Sequence, residues 1–148
     1  MRRSRDQAGF TLIELLIVVA IIGLIAAIAI PALQFALDRS KQRVTLSDLR
    51  MVASAVMTYS LDLSYFPNGS LTSSQLVVLL QAFAGPSLPS TDQWGNDFDY
   101  QADLGNYYSL ESFGRDGIDG ANIDYATRND FNLDMIHSGG SFVASPDP

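Results

Sequence analysis

Gly9-Phe10-Thr11-Leu12-Ile13-Glu14, followed by an apolar run to Leu33, is the stretch around which this 148-residue chain is organised. Ahead of it, residues 1–8 carry Arg2, Arg3 and Arg5 against Asp6, and behind it residues 15–33 hold no charged or strongly polar side chain. A basic lead into a long apolar run places the lead in the cytoplasm. At about 1.5 Å per helical residue, the roughly two dozen residues of 10–33 exceed the ~30 Å hydrocarbon core of a bilayer. A membrane-spanning helix with its carboxyl end outside the cytoplasm is expected.

Glu14 is the residue out of place, near the cytoplasmic edge of that run. An acidic group at the bilayer centre costs roughly 2.5–3.5 kcal/mol or more and marks a functional pairing; a position near the edge lowers the cost but still calls for a partner. A chain-terminal ammonium would supply one beside Phe10 if the peptide bond after Gly9 were cut. Gly9 lacks a Cβ and lets the backbone lie extended in a protease cleft.

This hexapeptide, with its short basic leader and the helix directly behind it, resembles the class III signal of type IV pilins and type II secretion pseudopilins. The resemblance implies that a prepilin peptidase cleaves between Gly9 and Phe10 and methylates the new Phe10 amine. It also implies that Glu14 neutralises the Phe10 ammonium of a neighbouring subunit as the helix leaves the membrane for a filament. Two plainer readings stand beside it. One is a membrane anchor that happens to hold a glutamate. The other is an ordinary secretory signal cut after Ala27-Ile28-Ala29, releasing a soluble protein that starts at Ile30; the length of the apolar run and Pro31 just past that cut speak against it.

Composition narrows the classes further. No cysteine is present, so an exported domain must hold itself by core packing, oligomer contacts or metal. The net charge is −7, and from Asp92 onward eleven acidic residues face only Arg115 and Arg128. Such acidity argues against nucleic-acid binding, which needs basic surface, and favours calcium or solvated loops.

Beyond Pro31 the helix is expected to continue, because Leu49, Val52, Ala53, Val56, Met57 and Leu63 recur at three- and four-residue spacing with Asp48, Arg50 and Ser54 between them. Pro31 would bend or locally open it. Asp38, Arg39, Lys41, Arg43, Asp48 and Arg50 form a charge run that is either a solvated face or a set of pairs between subunits. Phe66-Pro67-Asn68-Gly69 reads as a turn. A second helix follows, capped by Thr72 or Ser73, with Leu76, Val77, Leu79, Leu80 and Phe83 on its apolar face and Gly85-Pro86 as its stop.

From Asp92 the pattern changes to short aromatic and β-branched pieces between glycines and aspartates, which predicts small antiparallel strands. Phe98-Asp99-Tyr100 and residues 107–112 are the leading candidates, with Ile123-Asp124-Tyr125 and Ser141-Phe142-Val143 behind them. A sheet this small needs an apolar partner, and the long helix offers one. The fold expected is α+β, a long N-terminal helix with a membrane-spanning half and an amphipathic half, packed on a small antiparallel sheet, pilin-like. Its parts are a leader over 1–9, a transmembrane or filament-core helix over 10–33, the outer half of the helix over 34–63 and a globular domain over 64–148.

A second resemblance lies in Asp92-Gln93-Trp94-Gly95-Asn96, Tyr100, Tyr108-Ser109-Leu110 and Ser112-Phe113-Gly114-Arg115-Asp116-Gly117, which is similar to the carboxyl-terminal pattern of major pseudopilins of the type II secretion system. Tyr59, Tyr65 and Pro67 also fall where that family has a tyrosine and a Tyr-Pro pair. The resemblance implies a structural calcium ion at Asp116. Calcium takes six to eight oxygens, and residues 116–124 offer Asp116, Asp119, Asn122 and Asp124 in a glycine-softened loop. The spacing is not that of an EF-hand, and it departs from the family, where paired glycines follow Asp-Gly and an Asp-Ile closes the loop. Here only Gly120 stands, and the closing aspartate is Asp124, Asp130 or Asp134. The metal ligands expected are Asp116, Asp124, Asp119 and Asp130, against the plainer reading of an acidic solvated loop. Trp94 is expected in the core and His137, the only histidine, at the surface.

Catalytic constellations are missing from the sequence: there is no thiol, no multi-histidine cluster and no phosphate-cradling glycine loop with its lysine. No enzymatic activity is expected. The favoured function is a structural subunit of a type II secretion pseudopilus that drives export of folded proteins. A surface type IV pilin for adhesion, twitching or DNA uptake is the alternative, and a secreted calcium-binding module is a third reading. The resemblance implies a homo-oligomeric filament, with the prepilin peptidase, minor pseudopilins or pilins and an inner-membrane assembly platform as partners. It places the chain in a bacterial inner membrane with a single pass, then in a periplasmic or cell-surface filament.

Overall fold

The structure is a computed structural model that describes residues 9–103, 107–120 and 130–146. It divides into two units, residues 1–37 and 38–148. Helix α1, Leu12–Leu63, runs through both and continues through Pro31.

In the first unit the described side chains are almost all exposed, with Leu12 at 88% and Ile28 at 72%. A helix so apolar and so uncovered has its hydrophobic surface still to bury. By length and composition α1 is able to cross a membrane.

Within the second unit α1 changes character. Its buried residues begin at Gln42 and follow at Thr45, Leu46, Leu49, Val52, Ala53, Val56 and Tyr59, the three- and four-residue spacing of a single helix face. From Leu46 on, those side chains share one core with Leu76 and Leu80 of helix α2 and with Tyr100, Tyr108, Leu110 and Met135 of the sheet. Helix α2, Ser73–Ala84, starts on a capping box in which the Thr72 hydroxyl accepts from the Gln75 backbone N–H and the Gln75 side chain accepts from the Thr72 N–H. It ends at Gly85, whose N–H returns to the Gln81 carbonyl. Leu79, expected on the apolar face, is 38% exposed.

The sheet has five antiparallel strands in sequence order: β1 Gly69–Leu71, β2 Asp99–Asp103, β3 Tyr107–Ser112, β4 Met135–Ser138 and β5 Ser141–Ala144. Alternation along β3 buries Tyr108, Leu110 and Ser112 and leaves Tyr107, Ser109 and Glu111 less covered. The α+β arrangement expected from the sequence is the one found. Two strands were not expected: β1 includes Gly69 of the expected turn, and β4 surrounds His137. Ile123-Asp124-Tyr125 lies outside the described residues.

His137 is a correction to its expected surface position. It is buried, its Nδ1 lies 3.2 Å from the Tyr108 hydroxyl, and its ring meets Phe142 edge-on at 5.0 Å. Burial first, and the nearby Arg50 guanidinium second, push its pKa below the usual imidazole value.

Candidate functional site

Two regions carry the residues singled out by sequence. At the amino end, Glu14 Oε2 accepts from the Thr11 backbone N–H at 2.9 Å and from the Thr11 hydroxyl at 2.8 Å. Gly9 and Phe10 precede α1, and Phe10 is 76% exposed. With the chain uncut at Gly9, the carboxylate thus closes the first turn of its own helix, where an acidic group also meets the positive end of the macrodipole.

The second region is built around Asp92, buried to 4% exposure. Its Oδ1 accepts from the backbone N–H groups of Trp94 at 2.9 Å and Asn96 at 2.8 Å, and its Oδ2 accepts from the Ser112 hydroxyl at 3.0 Å. Asn96 Nδ2 donates to the Gly114 carbonyl at 2.7 Å. Gly114 in turn sits where an added Cβ would lie 2.8 Å from the Phe131 carbonyl oxygen, and a Cβ on Gly117 would lie 2.8 Å from Asn96 Oδ1. Both glycines have positive φ, 67° and 66°. The 92–96 turn, the 112–117 turn and the chain at 131–133 therefore form one hydrogen-bonded brace. Trp94 is partly buried against the core, with its indole N–H 3.3 Å from Asp38 Oδ1.

That brace positions three carboxylates. Glu111 near the end of β3, Asp119 in the following loop and Asp134 just before β4 offer ligand atoms that all lie within 4.8 Å of one another. Asp134 is 1% exposed. Burial first, then the charges of Asp134, Asp119 and Asp99, push the Glu111 carboxyl up to about 7. Asp99 is the cross-strand partner of Glu111, so like charges face each other across β2 and β3 as well.

Of the expected ligands among the described residues, Asp119 is in this cluster and Asp116 and Asp130 are not. Asp116 Oδ1 accepts from the Ile118 N–H at 3.2 Å and Asp130 Oδ1 from the Asn132 N–H at 3.0 Å, so each closes a local turn. Asp124 lies outside the described residues. Asp134 is one of the three closing aspartates the sequence offers, whereas Glu111 enters the cluster without a sequence signal beyond an acidic residue inside the strand candidate 107–112.

An all-carboxylate donor set suits a hard cation. Two oxygens on opposite sides of calcium, each about 2.3–2.6 Å from it, are about 4.6–5.2 Å apart. Oxygens that all lie within 4.8 Å of one another are close enough to share one such ion.

Comparison with known proteins separates the two regions. Residues 4–30 match the prokaryotic N-terminal methylation motif, and residues 33–128 match the family described as type II secretion system protein G. The chain is 32% identical over 131 residues to the type II secretion system core protein G of Pseudomonas aeruginosa, covering 80% of this chain and 90% of that one. It is 30% identical over 145 residues to the core protein G of Vibrio cholerae, covering 87% and 97%. The type IV major fimbrial protein FimA of Dichelobacter nodosus is 52% identical over 56 residues, covering 38% of this chain and 36% of that protein. No solved structure matches significantly.

Proposed function

Because this chain belongs to the type II secretion system protein G family, we propose that it is a non-catalytic structural subunit of a secretion pseudopilus, a filament whose growth drives folded proteins out of the cell. The observation that carries this reading is the family match through residues 33–128, which takes in the 92–96 and 112–117 turns of the brace. The higher identity to a fimbrial protein covers little more than a third of the chain.

The proposed path runs as follows. Residues 1–9 stay in the cytoplasm as a leader, residues 10–33 span the inner membrane, and residues 34–148 lie outside the cytoplasm. A prepilin peptidase cuts between Gly9 and Phe10 and methylates Phe10. The stems then bundle in a homo-oligomeric filament at an inner-membrane platform, together with minor pseudopilins. Glu14 exchanges its contact with Thr11 for the Phe10 ammonium of a neighbour, which sets the axial register.

Calcium is the cation proposed for the carboxylate cluster. Glu111, Asp119 and Asp134 would hold it, Asp124 is a further candidate ligand, and Asp116 and Asp130 would shape the loop around it. When bound, the ion supplies positive charge that relieves repulsion among the carboxylates and ties β3, its following loop and β4 together. It takes part in no reaction.

The first test is the amino-terminal mass of the protein taken from its native membrane, combined with deletion of its gene and parallel assays of secretion and twitching. N-methyl-Phe10 and a secretion defect without a twitching defect are expected. A start at Ile30 would overturn the filament reading, and a twitching defect alone would replace the pseudopilus with a surface pilus.

A further inference from the structure

The stretch of α1 that enters the compact second unit leaves three cations unengaged. Its two acids are both taken by the chain's own loops: Asp38 accepts from Trp94 and, at 3.1 Å, from Arg115, and Asp48 accepts from Gln93 Nε2 at 2.8 Å. Arg50 lies over the Phe142 ring at 5.1 Å. Arg39, Lys41 and Arg43 are exposed and make no hydrogen bond or ion pair among the described residues. In a chain of net charge −7 this is an isolated positive surface.

Arg39 and Arg43 are four residues apart and share one helix face. Further round the exposed side of the same helix, Val44 and Met51, seven residues apart, are 42% and 47% exposed. Met51 opens a groove of about 420 Å³ that it lines with Ala55, Thr58, Phe83 and Leu88. The wall supplied by Phe83 and Leu88 belongs to residues 63–91, which hold no Asp, Glu, Lys or Arg. An apolar centre with a charged rim is the anatomy of a protein interface.

The opposite chemistry is found where α1 stops. Asp62 is exposed in its last turn, next to Leu61 at 79% exposure. Asp103 is exposed at the end of β2, beside Ala102, which pairs with Gly69 shortly after the helix ends. Its cross-strand partner Tyr107 is 56% exposed. Neither Asp62 nor Asp103 makes an ion pair among the described residues. The basic end of the unit and this acidic end both combine unpaired charge with uncovered apolar side chains.

We propose that the Arg39–Arg43 face of α1, with the Met51 groove, is the docking surface for the Asp62 and Asp103 end of a second copy. Carboxylates of one copy pair with guanidinium groups of the next, while Leu61 and Tyr107 cover Val44, Met51 and the groove. Different surfaces meet, so the contact is heterologous and repeats head to tail as a filament rather than closing as a two-fold dimer. Complementary charge sets the register of such a contact and rejects others. The inference rests on the pseudopilus reading and adds to it which faces meet. An anionic lipid surface is the rival partner for Arg39 and Arg43. Met51, however, lies eight residues or about 12 Å further along the helix, and a headgroup has nothing apolar to place in the groove.

A benzophenone side chain installed at position 43 of the full-length chain, irradiated in sheared filaments and in membranes, tests it. The expected product is a two-chain adduct whose crosslinked peptide contains residues 61–63 or 103–107. Crosslinks to lipid alone, to another part of a second copy, or to nothing in well-formed filaments would overturn the proposal. A charge swap gives a second readout: R39D/R43D is expected to lower filament yield about tenfold or more, and adding D62R/D103R to the same chain to restore it. Loss without restoration, in variants whose melting is unchanged, also counts against it. If the unmodified chain forms no filament, the pseudopilus reading itself falls; filaments with a different crosslink sink the docking surface alone.

Discussion

At position 114 the backbone leaves no room for any side chain but hydrogen. A Cβ there would stand 2.8 and 2.9 Å from two carbonyl oxygens, at a φ of 67° that L-residues avoid. Gly114→Ala is expected to destabilise the outer domain by about 1–3 kcal/mol, read from the midpoint of urea unfolding at unchanged slope. A midpoint equal to that of the parent would mean that the 112–117 turn is not the brace described here. His137 supports a prediction of pH dependence. Its pKa is lowered on folding by burial and by Arg50, so the unfolded chain binds the proton more readily. Stability from this group is full above the unfolded value near 6.5 and is lost as the pH falls through the folded value. Between pH 7 and 5 the melting temperature of the parent should fall more steeply than that of His137→Gln, and parallel curves would remove His137 as the cause.

Among the elements, α2 is the one whose start is written out in full by local chemistry. Thr72 and Gln75 satisfy each other's backbone donors, and Gly85 closes the far end. Thr72→Ala should cost about 1 kcal/mol, with faster amide exchange across the first turn of α2 and little change in the sheet. Uniform acceleration across the sheet would show instead that α2 and the sheet open as one unit. The element that resisted reading is β4. Met135-Ile136-His137-Ser138 carries no alternation strong enough to announce a strand, and its pairing with β3 depends on residues 23 or more positions away, such as Ser112 opposite Met135. Its register against β5 shifts between Ile136 and His137, and that irregularity blurs the two-residue period.

For the whole molecule, a cation held by Glu111, Asp119 and Asp134 would join folding to its surroundings. If calcium binds the folded domain alone, free calcium at 100 times its Kd adds about 2.7 kcal/mol, and a chelator removes it. A fall of roughly 10 °C or more in melting temperature on adding chelator is the expected scale for a domain near this size. Glu111→Gln should behave oppositely in the two conditions. It relieves repulsion with Asp119, Asp134 and Asp99 when no metal is present, and it removes a ligand charge when calcium is added. The variant is therefore expected to melt higher than the parent in chelator and to gain less from calcium. A parent protein indifferent to chelator would leave the cluster as a solvated acidic loop.

What the sequence by itself determined is what neighbouring residues decide among themselves. The unbroken apolar run of 15–33, the glutamate at its edge, the helix period through Leu49, Val52, Ala53 and Val56 and the caps of α2 all act within a few turns, so composition and spacing expose them directly. The tertiary structure decided what has to be assembled from a distance. Glu111, Asp119 and Asp134 come from a strand, a loop and the entry to another strand, and Trp94 and Arg115 reach Asp38 across 56 and 77 positions. The physical reason is that the partners of a buried or charged group are set by strand register and core packing, which side-chain order along the chain does not encode locally.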